Sequence, residues 1–404
     1  MTRIARIIAA ASLSLMFATT ALASSAAAQT QLFEVEKSDA TKLLQVGDDA
    51  GFVVRGTLGA GGIPAAGSGV RLMWYPGKSA FRAGRVDAAQ WDDGNIGQWS
   101  AAFGQNTTAS GTHSLAAGGD AEATADRSVA MGGGTTASGQ FSLAMGQVSV
   151  ASGFASTAIG ERATASNRAA TALGGSTTAS GMNSTAMGVR TIASGDASTA
   201  MGFETQASGV SSTAMGAVST AAGIGSVAMG TRAVAQGAGS FVFADRSSTT
   251  ESVTAFDNQF VVRAHGGIGF NSGTNIGCDL PAGVGAWACT SSRLAKEGFE
   301  DMDGEAVLAK LASIPIQRWS YLGTRSAHVG PTAEDFHAAF GLGEGPTTIT
   351  TVDADGIALL GVQTLERRTA ELRAENAKLR ADLATLRTEL TALKDRLPVS
   401  QPQP

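Results

Sequence analysis

The sequence predicts a mainly β protein: a solenoid of 14-residue repeats, then a small α/β domain that ends in a coiled-coil helix. Three observations support this. An Ala-Ser-Gly-like step returns once per repeat between Ala102 and Phe243, without an insertion. No proline occurs between Pro76 and Pro281, and leucines spaced by seven follow near the C-terminus. A fixed short period indicates units that must stack on their neighbours to bury their apolar side chains.

Residues 1–28 have the pattern of a secretory signal peptide. Two arginines precede an apolar run at residues 7–22, and small residues follow up to Ala28. We expect cleavage before Gln29, with a cut after Ala23 as the alternative. No later stretch is long and apolar enough to span a bilayer. We therefore expect an exported chain, secreted or at the cell surface after periplasmic transit, with no membrane-spanning anchor.

Charge and composition exclude several function classes. The net charge is −5 with mixed signs, which argues against nucleic acid as a partner. Charged side chains are sparse in the repeat block, and we find no spaced carboxylate pair of a glycosidase there. The four histidines show no metal-ligand spacing with the two cysteines, so we predict neither a metal nor a cofactor.

Residues 29–100 are predicted to form an N-terminal β head or cap. This segment combines glycine-punctuated strands with an aromatic patch beside charged residues. The patch could close the open end of the solenoid, as repeat arrays require. It could also contact a surface glycan or a protein receptor. We favour the cap, and the two roles are compatible. The aromatic residues are Trp74, Tyr75, Phe81, Trp91 and Trp99.

Residues 101–245 are predicted to form the repeat solenoid. Sequence rich in Gly, Ala, Ser and Thr is also typical of flexible linkers. The constant phase and the absence of proline favour a continuous β-ladder instead. We expect two short strands per repeat, apolar side chains stacked inside the roll, and a rod on the order of 50 Å long. The stacked positions are Phe103, Ala117, Met131, Met145, Ile159, Leu173, Met187, Met201, Met215, Met229 and Phe243.

The repeat units resemble the head repeats of trimeric autotransporter adhesins. The resemblance rests on units such as ASGMNSTAMGVRTI and ASGDASTAMGFETQ, and it covers the whole repeat block. It implies a left-handed parallel β-roll that interlocks as a homotrimer, and it implies adhesion less directly. The sequence differs from that family because we find no counterpart of its C-terminal membrane anchor.

Residues 246–288 are predicted to form a β neck that leads into a cysteine-flanked loop. Strand-like alternation with glycine turns continues through FDNQFVVRAHGGIGFNSGTN. Cys278 and Cys289 enclose a short turn-rich segment. In an exported chain, such a pair is most simply a disulfide, with two free thiols as the alternative.

Residues 289–361 resemble the C-terminal intramolecular chaperone of endosialidase-type phage tail spikes and fibres. Three blocks carry the resemblance: TSSRLAKEGFEDMDGEAVLAKLASIPIQRWSYLG, HVGPTAEDFHAAFGLG and TVDADGIALLGVQTLE. In that family the domain assembles the trimer. It then cuts itself off through a Ser–Lys dyad that acts on the bond before the serine.

The resemblance implies a single-turnover serine peptidase with Ser291 as nucleophile and Lys296 as base. The cut would fall between Thr290 and Ser291. A serine hydroxyl needs a base, and lysine serves as one only where burial or neighbouring charge favours its neutral form. Ser292 stands where many members have Asp, which puts the activity in question. His328 and Asp335 match the second block and are expected to be structural or supporting.

Residues 362–397 are predicted to form a coiled coil, and residues 398–404 a frayed tail. Sustained heptads indicate helices that associate, whereas the number three comes from the two resemblances. Asn376 occupies a seam position and would set the register. The seven-residue leucine series consists of Leu365, Leu372, Leu379, Leu386 and Leu393.

These observations predict a secreted homotrimeric adhesin-like fibre, matured by a self-cleaving chaperone. The alternatives are a phage-type tail fibre or spike of prophage origin, and a surface fibre whose chaperone does not cleave. The signal peptide argues against the tail fibre, because virion parts assemble without export. A secreted glycan-degrading enzyme is the least favoured interpretation.

Overall fold

Each 14-residue repeat folds into one rung of a β-solenoid. The computed structural model describes residues 31–36, 42–47, 52–274 and 276–396. The predicted signal peptide and the predicted tail lie outside the described residues. The chain divides into two compact units, one ending at Cys289 and the other beginning at Thr290.

The first unit contains 31 strands among its described residues. Before the repeats come β1 (Gln31–Glu36), β2 (Lys42–Gly47), β3 (Phe52–Val54), β4 (Gly69–Tyr75) and β5 (Ala80–Val86). The repeats alternate long and short strands: β6 (Ala101–Gln105), β7 (Thr108–Ala109), β8 (Leu115–Gly119), β9 (Glu122–Ala123), β10 (Val129–Gly133), β11 (Thr136–Ala137), β12 (Leu143–Gln147), β13 (Val150–Ala151), β14 (Thr157–Glu161), β15 (Thr164–Ala165), β16 (Thr171–Gly175), β17 (Thr178–Ala179), β18 (Thr185–Val189), β19 (Ile192–Ala193), β20 (Thr199–Phe203), β21 (Gln206–Ala207), β22 (Thr213–Ala217), β23 (Thr220–Ala221), β24 (Val227–Thr231), β25 (Ala233–Ala235) and β26 (Phe241–Ala244). After them come β27 (Ser252–Thr254), β28 (Phe260–Arg263), β29 (Gly267–Gly273), β30 (Ile276–Pro281) and β31 (Ala288–Cys289).

The long and the short strands form the two walls of the roll. One sheet has 14 strands and runs from β4 and β5 through the long strands to β28. The other has 11 strands and runs from β7 through the short strands to β27. Neighbouring rungs are parallel and offset by one repeat, so that Met131 pairs with Met145 and Ala130 with Ala144. The predicted mainly β solenoid is confirmed.

Alanine, and not methionine, fills the interior of the roll. Side chains alternate across a strand, so Ala144 points inward while Leu143 and Met145 point outward. The inward alanines of both walls, such as Ala144 and Ala151, have no exposed surface. The outward side chains stay partly exposed, for example 37% at Met187. The predicted stacking of Met, Ile, Leu and Phe inside the roll is wrong, because fully buried alanines occupy the inward positions of both walls and the larger side chains lie on the outward face.

A charged and an aromatic side chain close the N-terminal end of the roll. Arg82 pairs in register with Ala102 and continues the inward alanine column, fully buried. Its guanidinium donates to the Ser100 hydroxyl at 2.8 Å and to the Ala109 carbonyl at 2.9 Å. Burial lowers the pKa of Arg82 to about 10. The Trp91 indole, also fully buried, donates to the Thr107 carbonyl at 2.8 Å. The capping role of this segment stays a prediction.

A network of hydrogen bonds closes the last rungs of the roll. Arg263 donates to the carbonyls of Thr231 and Asp245 at 2.9 and 2.8 Å. The Asp245 carboxylate accepts from the Ser247 hydroxyl and from the His265 amide, each at 2.6 Å. The hydrogen bonds to its carboxylate, the bond from Ser247 most strongly, lower the pKa of Asp245 to about 2.

The second unit packs two short helices against the start of a long one. Its elements are β32 (Gln317–Trp319), β33 (His328–Gly330), α1 (Gly304–Ser313), α2 (Ala333–Phe340) and α3 (Thr351–Arg396). Its small core joins the three helices through Val307, Phe336 and Ile357. Helix α3 begins at Thr351, about three turns before Val362, the first predicted seam residue. At its start, the Thr350 hydroxyl accepts from the Asp353 amide at 3.1 Å and donates to the Asp353 carboxylate at 2.7 Å, which caps the helix.

Candidate active site

Ser291 and Lys296 meet at the beginning of the second unit. A 3₁₀ turn at Arg293–Ala295 reverses the chain between them. The turn returns Lys296 towards Ser291, and the Lys296 Nζ donates to the Ser291 Oγ at 2.8 Å. The nucleophile and base of the predicted dyad are therefore in direct contact, as a serine activated by lysine requires.

Ser292 caps the turn that brings the dyad together. Its backbone is extended, and its hydroxyl accepts from the Leu294 amide at 3.2 Å. The Ser292 carbonyl accepts from the Ala295 amide at 3.0 Å. Serine and aspartate are both strong N-cap residues. The departure from the Asp of many family members therefore keeps the capping interaction.

The dyad is open to solvent in the single chain. The hydrogen bond between Lys296 and Ser291 is exposed, and Leu294 between them is fully exposed. A lysine serves as a base only where burial or neighbouring charge favours its neutral form.

His328 and Asp335 are placed in other interactions. His328 lies in β33 and stacks on Trp319 with ring centroids 4.9 Å apart, next to Tyr321 at 5.5 Å. Asp335 belongs to the cap of α2, where its amide and carboxylate both bond the Thr332 hydroxyl. Among the described contacts, neither residue touches the dyad. No spacing in the sequence signals this aromatic cluster, because it depends on the pairing of β32 with β33.

The predicted scissile bond lies next to the disulfide loop in the sequence. Cys278 and Cys289 are joined in a disulfide. Both lie in strands of the three-stranded β29–β30–β31 sheet, where they are register partners. Thr290 follows immediately. Because both cysteines precede the bond between Thr290 and Ser291, the disulfide would not hold the two fragments together after a cut.

The long helix α3 exposes its leucine seam. Its 46 residues would span about 70 Å. Leu365, Leu372, Leu379, Leu386 and Leu393 are each between 51% and 61% exposed. Near its start, α3 is tied to α1 through ion pairs from Arg367 and Arg368 to Glu305. Hydrogen bonds from these guanidiniums, first from Arg368, lower the pKa of Glu305.

Other possible sites give no further chemistry at the dyad. Two clefts of about 490 and 550 Å³ lie in the second unit, and neither includes Ser291 or Lys296. Within the described part of the chain, no group of three or more His, Cys, Asp or Glu could hold a metal. No helix among the described residues is long and apolar enough to cross a membrane.

Comparison with protein families identifies both parts of the chain. Eight segments match the YadA head domain repeat, in windows of two copies: 96–121, 123–149, 151–177, 165–191, 179–205, 193–219, 207–233 and 221–247. Residues 291–341 match the chaperone of endosialidase. The chain carries YadA head repeats and an endosialidase chaperone domain. No curated protein matches the chain.

The two families agree with the predicted resemblances. YadA head repeats followed by an endosialidase chaperone domain support an adhesin- or tail-fibre-like trimeric protein. The YadA head also suggests a surface or exported protein. The chaperone match begins at Ser291 and includes Lys296, His328 and Asp335.

Proposed function

We propose that this protein is an exported homotrimeric adhesin-like fibre whose endosialidase chaperone drives assembly and then releases itself by cutting between Thr290 and Ser291. The observation that carries the proposal is the 2.8 Å hydrogen bond between Lys296 and Ser291. The proposed cut between Thr290 and Ser291 lies one residue after the boundary between the two compact units. A cut there would separate the YadA head and neck from the chaperone.

The outer face of the long-strand sheet supports association of the heads. Along this face, the side chains at the Met145 and Leu143 positions are partly exposed in nearly every rung. The Met145 positions form one apolar stripe along the roll, whereas the Leu143 positions carry threonine in the five rungs from Thr157 to Thr213. An exposed apolar stripe is typical of an interaction surface. Three rolls that turn their stripes towards a common axis would bury it.

The exposed seam of α3 supports association at the other end of the chain. A single helix gains nothing from leucines at every seventh position, whereas a coiled coil buries them. The polar seam residue Asn376 bonds only the Leu372 carbonyl of its own helix among the described contacts, at 3.0 Å. In a coiled coil it would favour one register over others.

Cleavage proceeds by attack of the Ser291 Oγ on the carbonyl carbon of Thr290. The neutral Lys296 Nζ takes the hydroxyl proton, and it returns the proton to the Ser291 nitrogen as the peptide bond breaks. The resulting ester is hydrolysed by water to a Thr290 carboxylate and a free Ser291 hydroxyl and amine. The dyad is exposed in the single chain, and assembly would cover it and exclude water from the reaction. Cleavage is therefore coupled to trimerisation.

Adhesion is proposed for the N-terminal end of the head, towards a surface glycan or a protein receptor. Tyr75 and Trp91 are buried in the cap, whereas Trp74 and Trp99 remain exposed. Trp99 stacks on His113 with ring centroids 4.6 Å apart. Flat aromatic surfaces of this kind suit sugar rings and protein side chains.

The test of the proposal is whether assembly and cleavage are lost together. Leu372→Asp combined with Leu379→Asp places charge in the α3 seam, and Ala374→Asp combined with Ala381→Asp is the matched control on its outer face. We expect the parent and the control to have the mass of a trimer by light scattering and to be cut. The seam variant should be a monomer and stay whole. Cleavage of a monomeric seam variant would contradict the coupling, and a monomeric parent would contradict the fibre.

A further inference from the structure

The disulfide between β30 and β31 ends directly beside the proposed scissile bond. Cys289 is the last residue of β31, and Cys278 in β30 is both its register partner and its disulfide partner. Thr290, whose carbonyl is the proposed target of Ser291, is the next residue of the chain. On the other side of the bond, Ser292 caps the 3₁₀ turn of the dyad. The scissile bond therefore lies between a covalent anchor and a hydrogen-bonded turn.

Apart from the disulfide, β31 is held weakly. It has two residues, both exposed, and it lies at the edge of the β29–β30–β31 sheet. Its ladder to β30 consists of two register pairs, of which one is the cysteine pair. Trp287 contacts the Phe270 ring with centroids 5.6 Å apart, but both rings are more than half exposed. Short strand pairs are only marginally stable in water, so the disulfide is the main connection that holds β31 on the sheet.

Loss of the disulfide would free the chain in front of the scissile bond. Residues 282–290 are all exposed. Gly283 and Gly285 lie in the loop between the cysteines, and a Cβ at either position would have no atom within 4 Å. This loop therefore has little packing of its own. With the disulfide open, residues 282–289 become a flexible segment that carries Thr290 at its end.

Attack on the Thr290 carbonyl depends on how firmly this residue is held. The Ser291 Oγ must approach the carbonyl carbon of the preceding residue, so the backbone torsions of both residues decide whether the two atoms reach each other. Placement of the reacting groups is worth large factors in rate, and an error of about 1 Å can cost about 10²-fold. A fixed Cys289 limits these torsions, whereas a free Cys289 does not.

The disulfide is accessible to thiol exchange. Cys289 is exposed and Cys278 is half-buried, and exposed disulfides are the ones that exchange readily. Formation of the bond removes two electrons and two protons from the two thiols. A disulfide oxidant such as oxidised glutathione accepts them and becomes two thiols. Thiols stay reduced in the cytosol, whereas the periplasm and the extracellular space are oxidising.

We propose that the Cys278–Cys289 disulfide makes self-cleavage depend on redox state. Cys278 and Cys289 are positioning residues, because the bond between them holds Thr290 for attack and the reduced chain is cut slowly. The chaperone therefore stays attached in a reducing compartment and is released once the disulfide has formed. The inference rests on the proposed self-cleavage, to which it adds a second condition beside assembly.

Synthesis of the full chain in a cell-free system, with either oxidised or reduced glutathione, tests this redox dependence. A denaturing gel follows the cut over time, and a native gel of the same samples reports assembly. Cys278→Ser combined with Cys289→Ser removes the disulfide. Asp279→Ser combined with Ala288→Ser is the matched control, because it replaces the neighbouring register pair of the same two strands and keeps the disulfide.

We expect the parent and the control to be cut about 10²-fold faster in oxidised than in reduced glutathione. The cysteine variant should be cut at the slow rate under both conditions, and all three proteins should assemble. Transfer of the assembled, reduced parent to oxidised glutathione should restore fast cleavage. This recovery separates positioning of the scissile bond from a role in folding.

Equal cleavage rates in the assembled parent and the assembled cysteine variant overturn the redox dependence and leave self-cleavage intact. A cysteine variant that does not assemble also overturns it, because the disulfide would then act on folding and not on positioning. A parent that assembles and stays uncut under both conditions overturns the proposed self-cleavage, and the redox dependence with it.

Discussion

Replacement of Gly188 by alanine tests the stacking of the rungs directly. Gly188 lies in β18 with φ at +121°, a region that residues with a side chain rarely adopt. A Cβ at this position would lie 2.0 Å from the carbonyl oxygen of Gly202 and 2.9 Å from its carbon. The clash is with backbone of the next rung, so no side-chain movement can relieve it. We therefore expect β18 and β20 to be forced apart locally.

The expected loss follows from the interactions that this movement disrupts. Two ladder hydrogen bonds at about 1 kcal/mol each and about 1–3 kcal/mol of backbone strain give about 3–5 kcal/mol per chain. For a domain of this size, that corresponds to a midpoint roughly 10 °C lower. Gly175→Ala is the control, because its Cβ would have only Val189 Cγ2 nearby, at 4.0 Å. Its φ lies outside the left-handed region, so we expect no loss and a gain of up to about 1 kcal/mol.

Thermal unfolding at one fixed protein concentration, followed by the β signal in circular dichroism, measures both variants. Concentration must be fixed because assembly raises the midpoint of a trimer by mass action. Equal midpoints for Gly188→Ala and Gly175→Ala would refute the stacking of glycine on glycine between adjacent rungs. The assignment of side chains to the inward and outward faces of the strands would then be refuted as well.

Three further sets of variants test the interior of the roll, its last rungs and the turn at the dyad. Ala158→Leu overfills the interior of the roll, and we expect a loss of at least about 1–3 kcal/mol in the same unfolding assay, whereas a parent-like midpoint would show a roomier interior. The pKa of Asp245 is lowered to about 2, so its stabilising effect is complete above pH 3.8 and is lost as pH falls towards 2. In the Asp245→Asn variant, the thermal unfolding midpoint should fall less between pH 4 and 2 than it does in the parent. An equal fall in both proteins would contradict this. Ser292→Ala removes the cap of the 3₁₀ turn and should slow self-cleavage, whereas Ser292→Asp should retain it, and equal rates in both would argue against a positioning role.

The sequence predicted the rungs but misassigned their two faces. The 14-residue period and the missing prolines were sufficient for the ladder, because both follow from stacking and hydrogen bonding. Alternation alone could not tell whether Ala144 or Met145 faces inward, since both are apolar. The signal lay in variability within the repeats. The Ala144 position stays alanine from Ala102 to Ala228, whereas the Met145 position varies in size, as an outer face permits.

Within the second unit, the sequence predicted the local interactions but not the tertiary contacts. The resemblance led to Ser291 and Lys296, and the structure brings them together through a turn that Ser292 caps. The T-x-x-D pattern at Thr350 indicates the start of α3, earlier than the leucine heptads alone suggest. The surroundings of His328 depend on strand pairing between distant segments, which no short motif encodes.

Intact mass spectrometry of the purified protein beside a Ser291→Ala variant decides whether the chain cuts itself. We expect two fragments in the parent, one ending at Thr290 and one beginning at Ser291. We expect a single uncut chain in the variant, which should still assemble as a trimer. The mass of the uncut chain in both proteins would contradict self-cleavage by this dyad. The chaperone would then stay attached to the fibre as a trimerisation domain.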